Sequence, residues 1–334
     1  MKKVIVLGAT GTVGAYACLQ LKADGFEVIA VGSRPSDGGF FGKLGMEYCS
    51  VDISRPEAFA QLPRSGVYGL VHLAGMLPAR MEGYVPQRYI DINVSGTLNL
   101  LEYAVSAGVQ RLVYAQSISD VDYLCGSLTP IPEDAPSHFP LDNDHSVYSI
   151  SKNAAADLIR HYAQHYGFRA YILRFPNIYL YHPNPYYYVN GQKRMQGYRA
   201  MIYKALKGED IEIWGNPQKK RDIVYVKDCT QLLSLCLSVA DAPGGNYNVG
   251  TGQGVSLEEQ VRGIVQVFSP KDRPSRILYN PDKPDAAEYI FDISNGVKYL
   301  GYQPRYTYLA YLEDFKEEMQ RQRFAALWGT ETIL

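Results

Sequence analysis

The stretch KKVIVLGATGTVGAYACLQLKADGFEVIAVG, residues 2–32, decides the fold of this chain of 334 residues. A short apolar run precedes Gly8, a helical pattern ends at Gly25, and a second apolar run follows. Apolar runs without polar alternation, separated by a helix, are typical of parallel strands that are buried on both faces. The stretch therefore predicts a β–α–β unit with the right-handed crossover that such units share.

The turn between the first strand and the helix carries Gly8, Gly11 and Gly14 in the pattern GxxGxxG. Glycine lets this turn close and lets a pyrophosphate group approach the backbone and the helix N-terminus. The spacing is not the GxGxxG of most Rossmann dehydrogenases, and the alternative is a glycine-rich turn that binds nothing. Its place directly after the first strand favours a dinucleotide-binding turn.

Three further apolar runs, GLVHLAG, RLVYAQS and RAYILRF, alternate with helical patterns. This alternation predicts an α/β fold, a Rossmann-type doubly wound parallel sheet with a smaller C-terminal substrate-binding lobe. The segment NIYLYHPNPYYYVNGQKRMQGYR, rich in Tyr, Asn, Pro and Gly, predicts a long loop. We expect residues 1–176 to form the dinucleotide-binding domain, with 222–250 returning to it, and residues 177–221 and 251–334 to form the smaller lobe.

Composition excludes several classes of partner. A formal net charge of −1 and a pI near 6.6 offer no basic field for nucleic acid or an anionic membrane. No apolar run approaches the roughly 18 residues of a membrane span. The five cysteines and six histidines show no paired-ligand spacing, so we expect no metal and the reduced thiols of a cytoplasmic protein. His72, on a predicted strand, is expected to be packed in the sheet.

The sequence YSISK places Tyr148 and Lys152 four residues apart, on one face of a predicted helix. A phenol with a pKa near 10 is a poor base at neutral pH. A nearby ammonium and an oxidised nicotinamide favour the phenolate and bring the group into a useful acid–base range. The alternative is an ordinary surface pair of a helix.

The ordered motifs GATGTVG, VDIS, HLAG, NVSGT, YAQSIS, YSISK, LRFPNIY, RDIVYVKD and YNVGTG resemble the extended short-chain dehydrogenase/reductase family. The resemblance covers essentially the whole chain and is strongest to the nucleotide-sugar epimerase/dehydratase branch. It implies a bound NAD or NADP and a catalytic set of Ser117, Tyr148 and Lys152. Ser117 has an alternative role, which is to satisfy a backbone group.

The resemblance also implies two sets of binding residues. Cofactor binding is expected at Gly8, Thr10, Gly11, Thr12, Val13, Gly14, Ser33, Arg34, Asp52, Ile53, Leu73, Ala74, Gly75, Asn93, Tyr148, Lys152 and Phe175. Substrate binding is expected at Ser119, Asn177, Arg221 and Lys283.

Four of the polar positions have structural alternatives. Asp52 could cap a helix instead of contacting adenine. Asn93 could join backbone segments, and Arg174 could pair with an internal carboxylate. Arg221, where relatives often hold a nucleotide diphosphate, could form an ion pair with Asp222 instead.

One departure from the family pattern bears on the reaction. Sugar-nucleotide dehydratases carry Thr-Asp-Glu where this chain has Ser117, Ile118 and Ser119. Isoleucine cannot transfer a proton and serine is a poor acid, which disfavours dehydration.

Another departure bears on the cofactor. The acidic residue that many NAD-binding relatives place after the second strand is absent, and Gly32, Ser33 and Arg34 stand there. Ser and Arg can bind a 2′-phosphate, whereas a carboxylate repels it, which favours NADP. The alternative is that Arg34 points to solvent and NAD binds regardless.

Two changes in the smaller lobe bear on the substrate. Five tyrosines in the predicted loop offer flat faces for a base or sugar, or alternatively pack an irregular lobe. Lys283 stands where relatives commonly have arginine, which would lose bidentate geometry toward a diphosphate. Both changes separate the chain from a standard UDP-hexose site.

The leading hypothesis is an epimerase-type oxidoreductase that acts on a nucleotide-linked sugar through transient hydride transfer. The alternatives are an NADPH-dependent reductase or dehydrogenase of a ketosugar or another small carbonyl compound, and a non-catalytic NAD(P)H sensor. We also expect a homodimer formed by the helices in DINVSGTLNLLEYAVSAG and VYSISKNAAADLIRHYAQHYG, with apolar stripes such as Leu98, Leu101 and Val105.

Overall fold

A computed structural model describes residues 1–77, 84–143, 145–189 and 192–331. Its strands in chain order are β1 (Lys3–Leu7), β2 (Glu27–Gly32), β3 (Glu47–Ser50), β4 (Val67–His72), β5 (Arg111–Ser117), β6 (Arg169–Phe175), β7 (Ile178–Tyr179), β8 (Tyr186–Val189), β9 (Gln192–Met195), β10 (Ile211–Trp214), β11 (Lys220–Asp222), β12 (Val224–Tyr225), β13 (Gly245–Asn248), β14 (Gly254–Ser256) and β15 (Ile277–Asn280). Its α-helices are α1 (Thr12–Ala23), α2 (Phe40–Lys43), α3 (Pro86–Tyr89), α4 (Gly96–Ser106), α5 (Ser146–Tyr166), α6 (Gly197–Leu206), α7 (Val226–Ser238), α8 (Leu257–Phe268), α9 (Ser294–Leu300), α10 (Tyr308–Arg321) and α11 (Ala325–Trp328).

The central sheet of the described residues has seven parallel strands in the order β13-β6-β5-β4-β1-β2-β3. The chain winds outward from β1 in one direction through β2 and β3, and in the other through β4, β5 and β6. This reversal beside β1 is the switch point at which Rossmann-type sheets bind ligands. The predicted fold class is confirmed.

Strand β1 shows why its sequence lacks polar alternation. Val4 and Val6 belong to the buried cluster on the side of α1 and α7, whereas Ile5 and Leu7 belong to the cluster on the side of α4 and α5. All four side chains are fully buried. Because helices cover both faces of the sheet, each position of the strand must be apolar.

The chain returns to the sheet after the smaller lobe begins. Strand β13 pairs with β6 at the sheet edge, with Asn248 opposite Arg174, and α7 packs against α1. This placement agrees with the expected return of residues 222–250, while the exact division into domains remains a prediction.

The tyrosine-rich segment is not the long loop that its composition predicts. Strands β8 and β9 form an antiparallel hairpin in which Tyr186 lies opposite Met195 and Tyr188 opposite Lys193. The sequence between them contains Asn190-Gly191, a strong hairpin signal, although these two residues lie outside the described part of the chain. The prediction gave composition more weight than this dipeptide.

The two helices of the expected dimer interface lie side by side on one face of the sheet. Helix α5 ends at Gly167, which adopts a left-handed conformation with φ of 78°. A π-helical turn at Ile90–Ser95 leads into α4. In the part of the chain that the structure describes, no helix has the length and apolar character needed to cross a bilayer.

Candidate active site

The glycine turn forms a cradle at the start of α1. Gly8 has a φ of 83°, and a Cβ there would lie 2.7 Å from the backbone nitrogen of Ala74. A Cβ on Gly14 would collide with the carbonyl of Gly8. Gly11 is the N-cap of α1 and offers no side-chain cap. The amides of the first helical turn are therefore open to an anionic group such as a pyrophosphate.

The three residues expected to be catalytic come from β5 and α5. Ser117 is the last residue of β5, and Tyr148 and Lys152 are one turn apart on α5. Both α5 side chains are buried, with 7% of each exposed. Their position beyond the carboxyl end of β5 is where ligands of open parallel sheets bind.

Lys152 lies in an apolar environment. Its ammonium donates to the carbonyl of Ala115 and lies 4.1 Å from the ring centroid of Tyr114. Burial lowers the pKa of Lys152 to about 7. Without a carboxylate among the causes of this shift, desolvation alone sets the protonation of the ammonium.

The side chain of Ser117 forms a hydrogen bond with the Tyr148 phenol. Burial raises the pKa of Tyr148, a hydrogen bond with the Ser117 side chain lowers it, and the carboxylate of Asp120 raises it. The net shift is upward, and Lys152 is not among its causes. Ser117 Oγ also accepts from the backbone N–H of Ser119 at 3.2 Å. The hydroxyl of Ser117 is thus fixed beside the Tyr148 phenol.

A buried ion pair supports this end of β5. Arg174 donates to Asp120 from Nε at 2.9 Å and from Nη2 at 3.1 Å. It also donates to Asn248 Oδ1 at 2.9 Å. The expected alternative for Arg174, an internal carboxylate partner, is what the structure contains. Sequence reasoning did not single out Asp120, because nothing in the segment SISD distinguishes a buried acid from an exposed one.

Two polar residues near the site serve the scaffold. His72 Nε2 is 2.9 Å from Thr97 Oγ1, and burial lowers the pKa of His72 to about 3. Asn93 accepts from the backbone N–H of Met76 at 2.8 Å and donates to Ser151 Oγ at 2.9 Å. These contacts correspond to the packed role expected of His72 and to the joining role that was the alternative for Asn93.

The model of the NAD dependent epimerase/dehydratase family matches residues 4–250. The chain belongs to this family. A UDP-glucose 4-epimerase of Rhizobium meliloti is 24% identical over 334 residues, which cover 93% of this chain and 94% of the relative. A dTDP-4-dehydro-6-deoxy-D-allose reductase of Streptomyces bikiniensis is 26% identical, covering 91% and 92%. A UDP-glucuronic acid 4-epimerase from Bacillus cereus, solved in complex with NAD, shares the fold with a TM-score of 0.71, 19% identity, and coverage of 98% and 99%.

Around the glycine turn, the structure brings several of the expected family positions together. Thr10, Thr12 and Val13 lie in the turn or at the start of α1, and Leu73 and Ala74 pass directly over Gly8. Gly75 lies three residues beyond the end of β4, and Phe175 is the last residue of β6, on the other side of β5. The turn, the helix N-terminus and these strand ends form a continuous cradle that fits a dinucleotide.

The adenine side contains two expected residues, Asp52 and Ile53. Asp52 accepts from the backbone N–H of Ser54 at 3.0 Å and from its hydroxyl at 2.7 Å, which closes a local turn; it does not cap a helix, because the N-cap of the next helical turn is Arg55. Ile53 is buried, with 6% exposed, and packs against Gly96. A contact of either residue with adenine stays a prediction.

Arg34 is exposed, as the solvent-facing alternative expected, and so is Ser33 beside it. The Arg34 guanidinium also donates to the carbonyl of Leu327 in α11, a contact that neither sequence alternative included. The structure and the relatives give no support to the expected preference for NADP, since the Bacillus cereus relative is described with NAD.

The expected substrate residues occupy different parts of the lobe. The Ser119 hydroxyl is buried without a hydrogen-bond partner in the described residues, and Asn177 is exposed between β6 and β7. Arg221 Nε donates to the carbonyl of Ala287 at 2.6 Å. Lys283 lies on the same segment as Ala287, with its ammonium 5.4 Å from the Trp214 ring centroid. Substrate contacts of these four residues remain predictions.

The alternative in which Arg221 forms an ion pair with Asp222 is wrong. The Asp222 carboxylate is buried and accepts from the backbone of Thr251 at 2.7 Å, from its hydroxyl at 2.6 Å, and from the backbone of Gly252 at 3.0 Å. Arg221 is therefore not held by its neighbour.

Within residues 1–77, 84–143, 145–189 and 192–331, His, Cys, Asp and Glu form no group of three that could hold a metal, and the expectation of a metal-free site stays a prediction.

Proposed function

We propose that the protein is an NAD-dependent epimerase that acts on a nucleotide-linked sugar. The observation that carries the proposal is the contact of Ser117 with the buried Tyr148, with Lys152 one helical turn away and the glycine cradle at the end of β1, two strands from β5. The sequence relative from Rhizobium meliloti is named a UDP-glucose 4-epimerase, and the structural relative from Bacillus cereus acts on UDP-glucuronic acid with NAD.

The roles of the three side chains follow from their chemistry. Tyr148 Oη accepts the proton of a sugar hydroxyl and later returns it, while Ser117 Oγ donates to the reacting oxygen. Lys152 donates to ribose hydroxyls and, when protonated, stabilises the phenolate. A dinucleotide held by the glycine cradle and Lys152 would supply a reversible hydride acceptor for the sugar carbon.

The same site disfavours dehydration. Elimination of water needs an acid beside Ser117, and this chain offers Ile118 and the buried hydroxyl of Ser119. Asp120, the carboxylate that acts electrostatically on Tyr148, is engaged by Arg174. Ser119 suits a role in binding a substrate oxygen, because its buried hydroxyl has donor and acceptor capacity to spare.

The proposal is tested with purified enzyme, added NAD and a panel of UDP- and dTDP-linked sugars, analysed by chromatography for the epimer. The expected result is epimer formation without net NADH release, and at least a hundredfold loss of kcat in Tyr148→Phe. Tyr166→Phe, at the exposed end of the same helix, is the matched control and should keep wild-type kcat. Cofactor binding without any epimer across the panel contradicts the proposal.

The second candidate is a net reductase of a nucleotide-linked ketosugar, which the Streptomyces bikiniensis relative supports. It predicts consumption of one NADH or NADPH for each product molecule, which absorbance at 340 nm measures. A purely sensing protein is disfavoured because it needs none of the proton chemistry of Ser117, Tyr148 and Lys152.

We also propose a homodimer through α4 and α5. Ala155, Ala156 and Ile159 are fully buried against the sheet, but Leu98 and Ile150 on the outer faces are 38% and 41% exposed. An outer apolar stripe on two adjacent helices suits a four-helix interface with twofold symmetry. Leu101, in the same predicted stripe as Leu98, is fully buried in the core, so this part of the stripe covers the sheet.

Light scattering tests the dimer against the mass of one 37.4 kDa chain. Ile150→Glu should convert a dimer into monomers, whereas a wild-type protein of one-chain mass excludes the interface.

The cytoplasm remains the proposed location, and fractionation of the cells that produce the protein checks it.

A further inference from the structure

The segment after α10 folds back over the glycine cradle. Trp328 Nε1 donates to the carbonyl of Thr10 at 3.0 Å, and the carbonyl of Leu327 accepts from Arg34. A Cβ on Gly38 would lie 2.9 Å from the carbonyl of Ala326. Residues 322–331, called the clasp below, therefore contact both the turn of the cradle and the segment that follows β2.

An aromatic cluster anchors the clasp to the cofactor domain. Phe324 is 2% exposed, and its ring centroid lies 4.6 Å from that of Tyr16 in α1 and 5.5 Å from that of Phe40 in α2. The Trp328 ring lies 4.3 Å from Phe324. Aromatic contacts at these distances stabilise beyond the burial of area alone, so the clasp is a packed part of the domain.

The other end of the clasp is fixed to the smaller lobe. Glu331 forms an ion pair with Arg199 of α6 at 3.0 Å and accepts from Tyr203. The backbone N–H of Glu331 donates to Gln322 Oε1 at 3.1 Å, which closes the segment on itself. The clasp thus connects the lobe expected to bind substrate with the cradle expected to bind the cofactor.

Gly32, the last residue of β2, shows how the contact between Arg34 and Leu327 bears on the choice of cofactor. A Cβ on Gly32 would lie 2.9 Å from Thr10 Oγ1 and 3.0 Å from the hydroxyl of Tyr48, so an acidic side chain does not fit there without rearrangement. Discrimination between NAD and NADP must then come from other residues. Arg34, the cation that suits a 2′-phosphate, is exposed and is tethered to the carbonyl of Leu327 by a hydrogen bond from Nη1.

We propose that the clasp is a wall of the cofactor site that slows cofactor release and, by holding Arg34, favours NAD over NADP. This inference rests on the cofactor binding of the proposed function. Release of the dinucleotide from under residues 322–331 requires the Trp328–Thr10 contact to open. The tether to Leu327 also restricts the Arg34 guanidinium, so turning it toward a 2′-phosphate requires this hydrogen bond to break.

The first test compares Trp328→Phe with Trp214→Phe, because these are the two tryptophans of the chain and Trp214 is 51% exposed on β10. Stopped-flow fluorescence follows NADH release after a chase with excess NAD. Phenylalanine keeps the ring packing and removes the N–H donor, so we expect release to be about fivefold faster in Trp328→Phe. Trp214→Phe should leave the rate unchanged.

The second test is a chain that ends at Phe324, which keeps the buried anchor and frees Arg34. Fluorescence titration measures the dissociation constants of NADH and NADPH. In the shortened chain, the dissociation constant of NADPH divided by that of NADH should fall about tenfold. Adding Arg34→Ala to the shortened chain should restore the ratio of the full chain. Thermal denaturation identifies a shortened chain that does not fold, in which case the Trp328→Phe rate decides.

The outcomes separate the two proposals. If the full chain binds neither NADH nor NADPH, the proposed function fails. If NADH binds but Trp328→Phe releases it at the wild-type rate, the clasp does not retain the cofactor and only this inference is overturned. An unchanged NADPH-to-NADH ratio in a folded shortened chain overturns the selection by Arg34.

Discussion

Replacing Lys152 with methionine should stabilise the cofactor-free protein, although it removes a residue proposed to be catalytic. A pKa of about 7 in place of 10.5 means that keeping this buried lysine charged costs about 5 kcal/mol below pH 7. Methionine keeps the stem and removes the ammonium, but leaves the Ala115 carbonyl without its donor, at a cost of about 1 kcal/mol. The net gain at pH 6 is therefore about 4 kcal/mol.

The sign of the pH dependence follows from proton binding. Between pH 7 and 10.5 the unfolded chain holds a proton on Lys152 that the folded protein has lost, so wild-type stability rises with pH in this window relative to the variant. At pH 9 the remaining cost is about 2 kcal/mol, and the advantage of Lys152→Met shrinks to about 1 kcal/mol.

The assay is urea denaturation of the cofactor-free proteins at pH 6 and pH 9, followed by far-ultraviolet circular dichroism. Lys43→Met, at an exposed position on α2, is the control for loss of a lysine charge and should change stability by less than about 0.5 kcal/mol. A variant no more stable than wild type at pH 6, or a gain of equal size at both pH values, refutes the reasoning.

Three further predictions concern the scaffold and the chemistry. Asp120→Ala should lower the free energy of unfolding, measured by urea denaturation, by about 3–5 kcal/mol because it leaves Arg174 buried without its carboxylate. Asp157→Ala, which removes an exposed ion pair, should lower it by less than about 1 kcal/mol. Equal losses in the two variants contradict a special role for the buried pair. Gly14→Ala should abolish NADH fluorescence enhancement, since its Cβ collides with the Gly8 carbonyl, and retained binding shows that the turn is not the cradle. Tyr148→Phe should keep the wild-type dissociation constant for NADH while losing turnover, and a binding loss as large as the activity loss argues for a structural role.

Much of the fold could be predicted because its determinants are local. Strand β1, the turn and α1 follow from consecutive residues, and both faces of the strand are buried, so its apolar run carries a clear signal. Helix α5 begins and ends within one residue of its predicted limits, because Gly167 ends it in a left-handed conformation. Tyr148 and Lys152 share a face because they are four residues apart on this helix.

Contacts between distant residues could not be predicted from the chain. Trp328 and Thr10 are 318 positions apart, and no residue near either announces the partner. The pairing of Asp120 with Arg174 spans 54 positions and depends on β5 and β6 being neighbours in the sheet. The wrong interpretation of β8 and β9 is different, since the hairpin signal was local and composition outweighed it.

The buried site also changes how the catalytic pair must be understood. The sequence alone suggests that Lys152 lowers the pKa of Tyr148, but a buried lysine with a pKa of about 7 is only partly protonated at neutral pH and gives the phenolate limited support. One cause, desolvation, raises the pKa of Tyr148 and lowers that of Lys152, so both groups favour their neutral forms in the free protein. Hydroxyl acceptors placed on the ammonium by a bound ligand would stabilise its charged form, and the charged lysine would then stabilise the phenolate. Ligand binding, rather than the folded chain alone, therefore completes the acid–base pair.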